Sequence, residues 1–424
     1  MVYSADLILP VTSEPIKEGS VCVENGRISA FGPRAEIIER FKSDDEHYFK
    51  NSIIMPGLVN LHGHIECSCF DRLAKPANFS EWLGEIIKAS SNYQREDWLS
   101  ASREGVKRYL QSGITCTADI TRSGTGIQAL MEAGMPAVVF IEAVAIDRNN
   151  IALSVIDILE RIKSTQNMIG DGWLKVGLSP HSPYTLSTQA LKACGQIAQE
   201  YELPITIHVA ETKGEIDLIQ TGAGSLAERI GARLEIEAIE TAGTGKTVIE
   251  FLDEQGLLNN DTIAAHGVWL NRKDIETLKE RNAIIALCPT SNEILNSGVA
   301  PIGMFAEAGL RFGFGTDSPA SNPEMDLFLE ARKALKILTD AGDTTGHTEK
   351  LDPKKFVEKL TIEAASMLSL DEHVGSIDDG KRADLVVIDY PETDRDPYEY
   401  ILDSAEKILI QKTILSGNIA YDRG

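Results

Sequence analysis

Short, nearly unbroken apolar runs alternate along most of this chain with longer stretches in which apolar residues recur every third or fourth position among charges. The runs are Ile53–His64, Ile114–Ile120, Ala137–Ala143, Leu174–Leu178, Ile205–Val209, Thr262–His266, Ala283–Leu287 and Arg311–Gly315. They are rich in Val and Ile, as strands buried on both faces are. The stretches between them, such as Trp98–Gln111, Thr188–Glu200 and Met325–Ala341, carry the helical period. Eight strand–helix repeats predict an α/β fold, a (β/α)8 TIM barrel over residues 57–369, in which active sites form where the strands end. The two chain ends have a different rhythm. Asp6–Leu9, Ser20–Glu24 and Arg27–Gly32 read as strands, with Asn25-Gly26 as a hairpin turn between the last two. Ala383–Asp389 is a further strand, and Lys412–Leu415 and Ile419–Tyr421 flank a turn at Ser416-Gly417-Asn418. Neither end alone holds enough strands for a stable sheet. Residues 1–56 and 370–424 are therefore expected to combine into one small β-sandwich domain.

Composition changes this picture little. The chain has 424 residues, 43% of them hydrophobic and 25% charged, enough for one large core and a smaller one. A net charge of −23 excludes a nucleic-acid or anionic-membrane binder, which needs a basic face. No run reaches the ~20 apolar residues of a membrane helix, and no signal segment precedes the first strand, so a cytoplasmic protein is expected. The six cysteines have no framework spacing and read as buried free thiols. Cys67 and Cys69 follow a pair of histidines, which leaves a thiolate ligand open there.

Histidine is scarce, yet five of the eight stand at or just beyond strand ends. His62 and His64, two apart, can face the same way and bind one metal ion together. His208 ends the fifth barrel strand and can supply a third nitrogen. Asp317, in Gly315-Thr316-Asp317-Ser318, ends the eighth and can supply an oxygen. Glu211 lies three residues after His208, where the chain turns toward a helix. From there it can take a proton from an activated water without ligating the metal. His266 ends the sixth strand and can steady the attacking oxygen. His181, in Ser179-Pro180-His181-Ser182-Pro183, is either a hydrogen-bond partner of a substrate heteroatom or a core histidine. His47, His347 and His373 read as surface residues.

The whole chain resembles the amidohydrolase superfamily, in particular its metal-dependent deaminase and chlorohydrolase branch. The resemblance rests on Pro56-Gly57-Leu58-Val59-Asn60-Leu61-His62-Gly63-His64, His208-Val209-Ala210-Glu211-Thr212, Cys288-Pro289-Thr290-Ser291-Asn292 and Gly315-Thr316-Asp317-Ser318. It extends to the closing Gly380-Lys381-Arg382-Ala383-Asp384. It implies one divalent metal ion, Zn²⁺ or Fe²⁺, held by His62, His64, His208 and Asp317, with Glu211 as proton shuttle and His266 assisting the attacking water. Binuclear relatives carry a carboxylated lysine at the end of the fourth strand. Leu178-Ser179-Pro180 stands in that place here, and Lys175 lies too early.

The segment Ile65-Glu66-Cys67-Ser68-Cys69-Phe70, followed by Phe79-Ser80-Glu81-Trp82-Leu83, is most similar to aminofutalosine deaminases. That likeness marks Glu66 as a substrate-binding acid. S-adenosylhomocysteine and 5′-deoxyadenosine deaminases share a Glu-Trp-Leu but add a later glutamate for the ribose, where this chain has Lys88-Ala89-Ser90-Ser91-Asn92. Phe79 and Trp82 either cover a flat ring or pack a helix on the barrel. Arg148 and Arg122, after the third and second strands, are candidate anion contacts. The expected activity is hydrolytic release of ammonia from an amino-substituted purine-like ring, with an aminofutalosine or adenosine-type nucleoside first. An S-adenosylhomocysteine or 5′-deoxyadenosine deaminase, a triazine or chlorohydrolase, another base deaminase and, more distantly, a non-catalytic scaffold are the alternatives. A small-molecule substrate and a homodimer are the partners the resemblance implies.

Overall fold

A computed structural model describes the chain except for residues 43–44, 74, 76–78, 145–149, 171, 229–241, 341–351, 392–394 and 404–406. Eight strands form one parallel sheet in sequential order: β5 (Leu58–Gly63), β6 (Ile114–Thr121), β7 (Ala137–Ala143), β8 (Leu174–Pro180), β9 (Ile205–Val209), β10 (Thr262–His266), β11 (Ile284–Leu287) and β12 (Arg311–Phe314). The alternation expected of a barrel is visible in how the side chains sort. Val59, Leu61, Cys116, Ala118, Ile120, Val138, Phe140, Ile263, Ile284 and Ala286 fill the interior. Their neighbours Val139, Ile141, Val176, Leu178, Ile207, Val209, Ile285 and Leu287 face the surrounding helices. Some of those helices start where a side chain satisfies a free backbone N–H group: the Ser187 hydroxyl accepts from Ala190 N at the head of Thr188–Glu200.

The run Ile53–His64 is two strands, not one. β4 (Glu46–Pro56) ends at Pro56, which has no N–H to continue the ladder, and β5 begins two residues later against Ile114. β4 belongs to a second sheet with β1 (Val2–Ile8), β2 (Ile16–Glu24), β3 (Arg27–Pro33), β13 (Leu385–Asp389), β14 (Ile410–Leu415) and β15 (Asn418–Asp422). Both chain ends thus share one sheet of seven strands in the order β15-β14-β13-β4-β1-β2-β3. Asn25 and Gly26 both have positive φ, 52° and 75°, the backbone that a two-residue hairpin turn requires. Ser416 and Gly417 repeat it at 47° and 74°.

The closing motif joins the two sheets. Arg382 and Asp384 form a buried pair with N–O distances of 2.7 and 3.0 Å. Arg382 also donates to Gly134 O and lies 4.7 Å over the Trp173 ring, while Asp384 O accepts from Gly57 N between β4 and β5.

Barrel closure is made at the catalytic end. Asp317 N donates to His62 O at 3.0 Å, and Gly63 bridges Asp317 in parallel register. One turn below, the buried Asn60 amide spans the same seam. Its Oδ1 accepts from Thr316 N at 2.9 Å and its Nδ2 donates to Thr316 Oγ1 at 3.0 Å. Asn60→Ala leaves the Thr316 N–H buried without a partner. The expected loss is about 2–4 kcal/mol of stability, read from the midpoint of denaturant unfolding. A loss under about 0.5 kcal/mol, the scale of an ordinary surface change, would show that the seam does not depend on Asn60.

Candidate metal centre and active site

Four strand ends deliver the cluster. His62 and His64 come from β5 and the residue beyond it, His208 from β9, His266 from β10, and Asp317 from three residues past β12. On β9, Thr206 and His208 occupy the inward row because Ile205, Ile207 and Val209 pack outward. β12 gives Asp317 the parity of Gly313 and Gly315, and Gly315 has no alternative: a Cβ there would lie 2.6 Å from His62 Cβ. His266 is different. Ile263 points inward and Ala264 outward, so simple alternation would send His266 outward as well. A φ of +72° turns its ring into the site instead. Asp317 (φ +57°) and Ala210 (φ +49°), beside Glu211, are left-handed too. Such backbone persists in non-glycine residues only where surrounding contacts over-determine it.

The donor atoms converge. His64 Nε2 and His208 Nε2 are 3.3 Å apart, and Asp317 Oδ1 is 3.7 Å from both His62 Nε2 and His64 Nε2. His62, His64 and Asp317 form one group able to hold a metal ion, and His62, His208 and His266 form another, each within 4.8 Å. Burial lowers the pKa of all four imidazoles, which keeps them neutral with lone pairs available. Both ring nitrogens of His62 and Nε2 of His266 are buried without a partner. The edges of a tetrahedron with Zn–N bonds of about 2.0–2.1 Å are roughly 3.3–3.4 Å, close to the separations seen. The donor set therefore fits a divalent cation.

Neighbouring groups set the orientation of each donor. His208 Nδ1 is 2.7 Å from His181 O, and His266 Nδ1 is 3.0 Å from Asn292 Oδ1, which leaves the two Nε2 atoms facing the cluster. Asp317 Oδ2 accepts from the Ser291 and Ser321 hydroxyls at 2.6 and 2.8 Å, so Oδ1 is the oxygen turned to the imidazoles. Burial alone would raise the Asp317 pKa. The rings of His266, His62 and His64 and the Ser291 hydroxyl outweigh it and hold the carboxyl below its usual range. Glu211 is 3% exposed, and Oε1 lies 3.9 Å from His266 Nε2. Burial and then the Asp317 charge raise its pKa well above that of an ordinary glutamate. The turn that carries it is tied down by the Glu215 carboxylate, which accepts from Ala210 N and Glu211 N at 2.8 and 2.9 Å.

His181 sits beside this group, its ring 4.8 Å from that of His208 and its Nδ1 3.1 Å from Ser182 Oγ and Thr185 Oγ1. Burial, then the Arg122 charge, lowers its pKa to about 4. Trp82 donates from Nε1 to Ala320 O, three residues past Asp317. This brings the helix Phe79–Ser90 to the rim, with the Phe79 and Trp82 rings half-buried and 5.9 Å apart. Glu66 is buried, and its carboxylate accepts from Ser123 Oγ and the backbone N–H groups of Arg122, Ser123 and Gly126, and also bonds Thr121 Oγ1. It anchors the loop after β6 to the segment after His64. Arg148 and His347 lie outside the described residues, and His47 and His373 are half-buried. The Cys67 thiol has its pKa raised by burial and belongs to neither metal-capable group among the described residues. Lys175 points to the far end of the barrel, where Nζ donates to Ser369 O, and Ser179 stands near the site instead. Sequence reasoning assigned no role to Asn60, Ser291, Asn292, Ser321 or Glu215. Ser291 and Asn292 stood in a quoted motif, but only the folded chain shows which side chain each one holds.

Fold and site together define a parallel barrel with a cluster able to hold a cation at the C-terminal mouth. The chain belongs to the amidohydrolase family, whose pattern it matches over residues 53–420. It is 30% identical to the 5′-deoxyadenosine deaminase of Methanopyrus kandleri over 98% of this chain and 93% of that one. It is also 30% identical to the 5-methylthioadenosine/S-adenosylhomocysteine deaminase of Thermodesulfovibrio yellowstonii, over 97% and 90%. The fold is shared with an adenosine deaminase from Xanthomonas campestris with bound zinc (TM-score 0.82, 22% identity, 100% and 93% covered). It is shared too with Helicobacter pylori aminofutalosine deaminase in complex with methylthio-coformycin (0.81, 22%, 99% and 100%).

Replacing Ser291 and Ser321 together by Ala frees Asp317 Oδ2. The double variant is expected to bind Zn²⁺ about 10- to 100-fold more weakly in chelator competition. Unchanged affinity would remove the two hydroxyls from the design of the centre.

Proposed function

We propose that this protein is a metal-dependent hydrolase of non-peptide C–N bonds that converts the 6-aminopurine ring of adenine nucleosides to the 6-oxo ring, with release of ammonia. The observation that carries this reading is a buried, unligated acid, Glu211, 3.9 Å from His266 at the edge of a cluster of imidazoles and one carboxylate. The names of the relatives at 30% identity point the same way. His62, His64, His208 and Asp317 would hold the ion, zinc or ferrous iron, both of which suit these ligands. When bound, the cation supplies Lewis acidity that lowers the pKa of a coordinated water to roughly 7.

The remaining work falls to side chains. Glu211 takes a proton from the attacking water as its oxygen adds to C6, and passes that proton to N1 of the ring. The tetrahedral carbon then collapses. The C6–N6 bond breaks, N6 receives the second proton through Glu211, and ammonia leaves. Water is consumed and nothing is oxidised. A glutamate whose burial raises its proton affinity suits a carrier that must hold each proton between the two transfers. His266, held by Asn292, keeps the incoming oxygen in line. His181 is placed to bond a ring nitrogen, and Phe79 and Trp82 to close over the flat ring.

The family supports adenine nucleosides altered at the 5′ carbon, and aminofutalosine is the second reading, favoured by the segment after His64. Ammonia release by the zinc-loaded protein from adenosine, 5′-deoxyadenosine, 5′-methylthioadenosine, S-adenosylhomocysteine, aminofutalosine, guanine and a triazine decides among them. Turnover confined to guanine or the triazine would overturn the nucleoside assignment. Glu211→Gln is expected to keep its metal and lose about 10²- to 10⁴-fold in kcat, whereas Asp317→Ala is expected to lose metal and turnover together. Elemental analysis beside steady-state kinetics checks both. Near-normal kcat in Glu211→Gln would end its role as proton carrier.

A further inference from the structure

The mouth of the barrel carries a second polar group that the deamination chemistry leaves unused. On β7 the interior row runs Val138 and Phe140, while Val139, Ile141 and Ala143 pack outward, so Glu142 is the next inward residue, at the catalytic end of the strand. On β6 the interior row runs Cys116, Ala118 and Ile120, and Arg122 follows with the same parity. Ile120 pairs with Phe140 and Thr121 with Ile141, which sets Arg122 beside Glu142; Glu142 in turn pairs with Ser179 on β8. The two strand ends are clamped from outside. Arg161 donates from Nη1 to Glu142 O at 3.1 Å and from Nη2 to Arg122 O at 2.9 Å.

The Glu142 carboxylate itself is half-buried and has no hydrogen-bond partner among the described residues. Burial raises its pKa, and the nearby His64 ring and Arg122 guanidinium offset this only in part. A shielded carboxylate on a rigid strand end, with its acceptor sites unfilled and one metal-capable imidazole nearby, is costly unless a ligand completes it. The complement of a bare carboxylate is a pair of adjacent hydroxyls, each donating to one oxygen. A nucleoside whose ring faces the imidazole cluster presents such a pair in its ribose, a few bonds from the reacting carbon.

We propose that Glu142 is the residue that reads the ribose of the substrate, accepting hydrogen bonds from the 2′- and 3′-hydroxyls, with Arg122 beside it on the neighbouring strand end. The assignment rests on the nucleoside reading given above. It makes Glu142 a specificity determinant: it discriminates for the diol and takes no part in proton transfer.

The test compares adenosine with 2′,3′-dideoxyadenosine in zinc-loaded wild type, Glu142→Ala and Glu142→Asp, with metal content measured on each. Hydrogen bonds to a charged group are worth about 10- to 100-fold in discrimination. Wild type is expected to prefer adenosine in kcat/KM by that factor. Glu142→Ala is expected to abolish the preference by losing activity on adenosine alone, with dideoxyadenosine turnover and zinc content within about two-fold of wild type. Glu142→Asp is expected to restore part of the preference. A Glu142→Ala protein that loses both substrates equally, or keeps the wild-type ratio, overturns the assignment while leaving the deaminase reading intact. Wild-type protein that holds zinc and releases no ammonia from any nucleoside overturns the deaminase reading, and this assignment with it.

Discussion

The hydrogen bond from Asp317 N to His62 O closes the barrel, and it does so between two residues whose side chains belong to the metal-capable cluster. Fold and site are therefore one construction. The first and last strands of the barrel cannot meet without bringing the His62 and His64 rings against the Asp317 carboxylate. Any drift in their register would move the donors apart. Asn60 reinforces the seam from below and Gly315 makes room for the His62 side chain. The conformational cost shows where the strands end, in the left-handed backbone of Ala210, His266 and Asp317. The rest of the domain is packed well enough to hold that strain.

Electrostatically the mouth is an unbalanced place. Neutral imidazoles, their nitrogens stripped of water, surround a carboxylate held ionised by the rings and by two serine hydroxyls. Glu211 stands nearby with its proton affinity raised by burial and by that same carboxylate. Two neighbouring carboxyl groups with opposite tendencies suit one to a cation and the other to carrying protons. His208, His266 and Asp317 each have a dedicated orienting partner. That is the difference between residues that merely gather and a centre with defined geometry.

Much of this was legible in the linear chain, for identifiable reasons. The barrel strands were readable because burial on both faces demands nearly unbroken apolar runs, and the ligands stood out because His and Asp interrupt those runs where they end. Within Ile53–His64 an apolar strand of one sheet passes directly into an apolar strand of another across Pro56-Gly57, so only the turn signal of those two residues marks the change. Glu66 follows His62 and His64 closely in sequence. Its carboxylate is consumed by the loop after β6, some 55 to 60 residues downstream. Glu142 was passed over because one acid ending a strand looks like any solvated loop residue until its row on the barrel wall is known.

Period and composition, by themselves, determined the barrel, the union of the two chain ends and the identity of the residues meeting at its mouth, because burial imposes a pattern that can be read one residue at a time. Tertiary structure alone decided where each of those side chains aims. The inward turn of His266 depends on a backbone angle, the choice of Asp317 Oδ1 over Oδ2 on hydroxyls contributed by two separate segments, and the placing of Glu142 beside Arg122 on the pairing of adjacent strands. These are relations between distant parts of the chain, and no local pattern encodes them.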